Sequence, residues 1–107
     1  MEEKQILVLI KEPGKPADLE PLFDNTLEAF QKAVGGYIEA VTIRDDLVVI
    51  CNEEGRLMGL QPNVQINGVD FVGTVIVAGV KGESFSSIKA SLVPKVWKVL
   101  ENGGWIR

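Results

Sequence analysis

Val34-Gly35-Gly36-Tyr37-Ile38-Glu39, Cys51-Asn52-Glu53-Glu54-Gly55 and Gly59-Leu60-Gln61-Pro62-Asn63 are three turn-bearing stretches in the middle of the chain. Strand-like runs lie between them. Tyr37 to Ile43 alternates, with Tyr37, Glu39, Val41 and Ile43 on one face and Ile38, Ala40 and Thr42 on the other. Arg44-Asp45-Asp46 turns the chain into the apolar run Leu47 to Cys51, which predicts a hairpin. The bend Asn52 to Gly55 reads as a type I turn with a bulge, Gly55 taking positive φ. Arg56 to Leu60 then reads as a short returning strand that Pro62 ends.

Toward the amino terminus, Gln5 to Ile10 is apolar without alternation, which predicts a central strand covered on both faces. The proline-bearing segment from Pro13 to Pro21 reads as a connection. Asn25 with Glu28 has the form of a capping box, and Leu27, Phe30 and Val34 mark one face of the helix that follows. Gly35-Gly36 ends it.

Toward the carboxyl terminus, Asn67-Gly68 is the strongest hairpin dipeptide. Phe71 to Val80 reads as one long strand, with Gly73 and Gly79 marking a bulge or a close approach of backbone. Lys81-Gly82-Glu83 turns the chain, and Ser84 to Lys89 is ambiguous. Ser91 as cap and Pro94 in the first turn open a last helix with an apolar stripe of Val93, Val96, Trp97 and Leu100. Asn102-Gly103-Gly104 closes it. The order predicts a single α+β domain over residues 1–107: a mainly antiparallel sheet of about five strands with two helices on one face.

The chain of 107 residues carries a net charge of −4 and 46% apolar residues, an ordinary globular composition. That charge argues against nucleic acid or an anionic membrane as partner and leaves an unknown protein or a small ligand, a basic surface included. The sequence has no histidine, so the commonest acid–base group and metal ligand is missing. Cys51 is the only cysteine and has no intramolecular disulfide partner. The start Met1-Glu2-Glu3-Lys4-Gln5 lacks the basic region of a secretory signal, so a cytoplasmic protein is expected.

Pro13-Gly14-Lys15-Pro16, Leu27-Glu28-Ala29, Val34 to Glu39, Cys51 to Gly55, Gly59-Leu60 with Asn63, and Gly73-Thr74 together resemble DUF3846. This is an uncharacterised family of bacteria, especially Gram-positive species, and of their phages and mobile elements. The likeness spans roughly the first four-fifths of the chain, leaving Ile88 to Arg107 more idiosyncratic. The resemblance implies a cytoplasmic accessory protein, phage- or plasmid-borne, and carries no activity with it.

Among candidate residues, Glu39 stands on a strand face that is otherwise apolar, where a partly buried carboxylate would suit acid–base work. An edge position paired with Lys or Arg is the plainer reading. Asp45-Asp46 and Glu53-Glu54 would sit at opposite ends of one strand, roughly 15 Å apart at ~3.3 Å per residue, too far to share an ion. No metal site is therefore expected. Asn52, Glu53 and Glu54 on one bend, and Asn63 with Thr74 beside Gly73, are candidate ligand contacts. Cys51 reads as a small core residue, and Ser84, Ser86 and Ser87 as turn residues. No phosphate-loop spacing occurs, and no cofactor is expected.

Trp105 and Ile106 follow two glycines as an apolar tail. They either fold back or dock on a partner or second subunit, a homodimer included. The preferred function is a non-enzymatic binding or regulatory module. The alternative is a small carboxylate-dependent hydrolase or transferase, with or without a divalent metal, in which Glu39 carries the proton and Asn52, Glu53 or Glu54 orients substrate.

Overall fold

The computed structural model describes residues 3–107. Met1 and Glu2, part of the stretch read above for a secretory signal, lie outside the described residues. The elements run β1 (Gln5–Lys11), β2 (Asp18–Asp24), α1 (Leu27–Val34), β3 (Ile38–Arg44), β4 (Leu47–Asn52), β5 (Pro62–Ile66), β6 (Val69–Val72), β7 (Val75–Lys81), β8 (Ser84–Ser86) and α2 (Val93–Asn102). The main sheet has the order β2-β1-β7-β4-β3, with neighbours antiparallel. A short β8 pairs with Gly79 to Lys81 of β7, on the same edge that β1 occupies further along. β5 and β6 form a separate hairpin. The class is α+β with a mainly antiparallel sheet, as the sequence predicts.

The helices cover opposite faces of the sheet, which corrects the expectation of helices on one face. Leu47, Val49 and Cys51 of β4 pack with Leu9, Val75, Val77 and with Val96, Val99 and Leu100 of α2. Val48 and Ile50 turn the other way, toward Ile6, Val8, Ile76, Ala78 and toward Phe30 and Val34 of α1. All of β4 is buried. A strand apolar on both faces must be covered on both, because each fully buried Val, Leu or Ile contributes about 1.5–3 kcal/mol. The β5–β6 hairpin joins α2 on its face through Ile66 and Phe71.

Several local expectations change. The segment before Pro21 is not only a connection: Pro21 lies within β2, an edge strand. Ile6 pairs with Phe23 but Val8 with Glu20, so Pro21 and Leu22 bulge against Leu7, where a missing N–H breaks no ladder. Thr26, not Asn25, caps α1, its Oγ1 accepting from the Ala29 N–H at 3.1 Å. Asn25 instead donates to the Glu3 and Phe85 main-chain oxygens. Leu27 is exposed, while Phe30 lies between the rings of Phe23 and Phe85.

Arg56 to Leu60 is a coiled turn rather than a strand. Met58 N–H donates to the Glu54 oxygen and Leu60 N–H to the Gly55 oxygen. Positive φ falls on Gly59, not Gly55, and Pro62 opens β5 instead of ending a strand. Gly73 splits the expected long strand into β6 and β7. Its φ of 72° strains any side chain there, and a Cβ would stand 2.7 Å from Leu60 Cδ1, so Leu60 would have to shift. Gly79 marks a close approach, to the Ser87 carbonyl.

Asn67 and Gly68 both take positive φ, the mirror-image turn expected for β5–β6. Ser91 falls within a short 3-10 turn at Ala90–Leu92, and α2 begins without a side-chain cap. No helix among the described residues is long and apolar enough to cross a membrane.

Candidate functional site

Beside the β3–β4 hairpin, a cleft of about 210 Å³ opens between the outer end of the sheet, the turn after Asn52 and β6. Alternation along β3 sends Glu39 and Val41 to this face, and β4 contributes Cys51 and Asn52. Glu53, Glu54, Gly55, Arg56 and Leu57 form the rim, and Asp70, Phe71 and Val72 the opposite wall. The lining therefore includes four acidic residues, Glu39, Glu53, Glu54 and Asp70, and one guanidinium, that of Arg56. That guanidinium is engaged: Arg56 Nη2 donates to the Asp70 main-chain oxygen at 2.7 Å. Cys51 and Phe71 are buried and give the cleft an apolar floor.

The polar groups at the base hold the fold together. Asn52 is buried; its Nδ2 donates to the Val34 oxygen at 3.1 Å, and its Oδ1 accepts from the Glu54 N–H at 2.8 Å. Those two bonds fix the rim relative to α1. Cys51 Sγ lies 3.7 Å from the Glu39 oxygen. Burial first, and the Glu39 carboxylate second, push the thiol up to about 11, so it stays protonated at neutral pH. Glu39 itself is exposed, not partly buried, because β3 is the last strand of the sheet.

The structure thus brings Glu39, Asn52, Glu53 and Glu54 together. Asn63 and Thr74 are not among the lining residues. Asn63 Nδ2 donates to the Lys11 and Gly73 oxygens at 2.8 and 2.7 Å, which ties β5 to β1 and to the β6–β7 joint. Thr74, half-buried, follows Gly73 at that joint. Sequence reasoning missed Asp70 and Arg56. The signal for Asp70 was the Asn67-Gly68 hairpin, whose register sets it opposite Gln65, Nε2 to Oδ1 3.0 Å.

Asp46, at the far end of β4, is ion-paired with Arg44 and Lys89 at 2.6 and 3.4 Å. Burial raises its pKa, but the Lys89 hydrogen bond and the Arg44 charge outweigh that and hold it below the ordinary carboxylate value. Ser87 Oγ accepts from the Leu7 N–H, a structural bond at the β1 bulge. Among the described residues, no group of three or more His, Cys, Asp or Glu side chains is placed to hold a metal ion.

The carboxyl-terminal tail folds back onto its own chain. Gly104 forms a parallel bridge with Ile66, and Asn67 Oδ1 accepts from the Ile106 N–H at 2.7 Å. Ile106, expected with Trp105 to fold back or to dock, is only 2% exposed and belongs to the α2-side core. Trp105 points outward, 60% exposed, with the Arg107 guanidinium 5.9 Å from its ring centre.

A family model described as "Domain of unknown function (DUF3846)" matches residues 5–101. The match runs through most of α2, further than the motifs quoted above, so the last helix follows the family pattern as well. No curated protein and no solved structure matches the chain.

Proposed function

Starting from a chain that belongs to the DUF3846 family, we propose that it is a non-enzymatic binding or regulatory module. It works in the cytoplasm as an accessory protein of a phage or mobile element, as the resemblance to a family of bacteria and of their phages and mobile elements implies. Its ligand carries a cationic group on an apolar stem, a basic side chain of a protein or a small amine. The observation that carries this reading is the cleft's lining of four acidic residues over an apolar floor, with its one guanidinium hydrogen-bonded to the main chain. A cation entering there gains the summed field of the acids while its stem covers Phe71 and Val72. The groups at the base support binding rather than turnover: Asn52 is committed to main-chain bonds and the Cys51 thiol is held protonated.

The test is a calorimetric titration with arginine amide and with lysine amide, followed by mass spectrometry of the recovered ligand. Binding that weakens with salt, is lost in Glu39→Lys/Glu53→Lys and returns the ligand unchanged is expected. No detectable heat, or a chemically altered ligand, overturns the reading.

A further inference from the structure

We propose that β3 receives an additional strand, donated by an extended, lysine- or arginine-bearing segment of a partner protein whose basic side chains enter the acidic cleft. This rests on the cleft reading above and assigns its partner class. In the main sheet β3 has β4 on one side and ends the strand order on the other. Tyr37 O accepts from the Glu53 N–H at 2.8 Å, in register with Ile38 opposite Asn52. In an antiparallel ladder hydrogen-bonded and non-bonded pairs alternate, so Glu39 and Val41 aim their main-chain groups at β4. Ile38, Ala40 and Thr42 then aim theirs outward.

A strand bonded to those three places every second side chain on the Glu39 face, roughly 4.5–5.5 Å across from Glu39 and Val41. Glu39 and Val41 are the two β3 residues that line the cleft, so the open edge and the acidic wall meet at the same side chains. The opposite edge of the sheet is not equivalent: β2 carries Pro21 in a bulge, a combination that blunts strand addition. β3 contains no proline, and its own irregularity is confined to the Thr42–Arg44 end.

Charge selects the occupant. A second copy of this chain, with a net charge of −4, would bring like charge to a rim already holding Glu39, Glu53, Glu54 and Asp70. A basic strand brings the opposite sign. Main-chain bonds supply affinity in such pairings, and alternate side chains supply specificity.

The test uses short peptides alternating lysine and valine, followed by amide resonances of the whole chain. The parent peptide is expected to shift Ile38, Ala40 and Thr42 amides and slow their hydrogen exchange. Two further peptides carry N-methyl groups on alternate residues in opposite phases. One phase should bind like the parent and the other roughly tenfold or more weaker, because one phase removes the N–H groups that face β3. Ala40→Pro, with folding checked by its thermal melt, should weaken the parent similarly, since its N–H is an outward one.

Equal binding of both methylated peptides overturns strand addition, as does a dimer in which these amides are already protected without peptide. Lysine amide binding as tightly as the parent peptide also overturns it while the cleft reading stands. Failure of both lysine amide and peptide to bind removes both.

Discussion

Asn52, the last residue of β4, donates through Nδ2 to the main-chain oxygen of Val34, 3.1 Å away at the end of α1. The bond crosses beside Gly36, where a Cβ would come within 2.8 Å of the same nitrogen. One side chain therefore couples the helix on one face of the sheet to the rim of a cleft on the other.

Asn52→Ala should cost about 1–3 kcal/mol of stability, because a buried carbonyl and a turn N–H lose their partner together. Urea unfolding with unchanged slope is the check. The same variant should weaken cation binding, since Glu53 and Glu54 lose the anchor that holds them over the floor.

Asn67 does comparable work for the tail. Its Nδ2 donates to the Ile43 and Ile106 oxygens, and its Oδ1 accepts from the Ile106 N–H. Asn67→Ala removes these bonds and places alanine at a φ of 49°. Ile106→Ala empties a core site and should cost about 2–5 kcal/mol. Both should raise hydrogen exchange at Gly104 and Asn67, whereas Trp105→Ala should leave it unchanged.

Cys51 makes a pH prediction. Its folded thiol lies at about 11, above the ordinary value of 9.0. A group raised on folding contributes stability that is complete below the unfolded pKa and lost as pH climbs through the folded one. The window here is about pH 9 to 11, and the loss is on the order of 2–3 kcal/mol. Denaturant midpoints measured across that window should fall more steeply for wild type than for Cys51→Ala. Native protein at neutral pH should resist thiol alkylation and react on unfolding.

Asp46 has the opposite sign. Lys89 and Arg44 hold its pKa below the ordinary value of 3.8 against the effect of burial. Its contribution is present above that value and lost as pH falls below it. Asp46→Asn should therefore flatten the acid limb of the stability profile, measured by thermal melts across the acid range.

The apolar runs and turn dipeptides made β1, α1, the β3–β4 hairpin, the Asn67-Gly68 turn and α2 legible, because burial periodicity and left-handed backbone are written locally. What was hidden is tertiary. Nothing near Pro21 says that an edge bulge accepts it, and the positive φ at Gly73, beside Leu60, breaks the run from Phe71 to Val80 where the sequence offered only a bulge or a close approach. The continuous burial of β4 was itself a signal for helices on both faces, and it outweighs the loop order that suggested one. Half of the cleft, Glu39 and the Asn52 to Glu54 bend, could be read from sequence. Asp70 and Arg56 could not, because they arrive from a hairpin docked across the face.

The most direct measurement is a titration of the protein with arginine amide, with heteronuclear resonances followed at each residue. Saturable shifts centred on Glu39, Asn52 to Arg56 and Asp70 to Val72, abolished by Glu39→Lys/Glu53→Lys, are predicted. Saturable shifts centred elsewhere, such as around Trp105, or no shifts at all, would contradict the claim that the acidic cleft is the binding site.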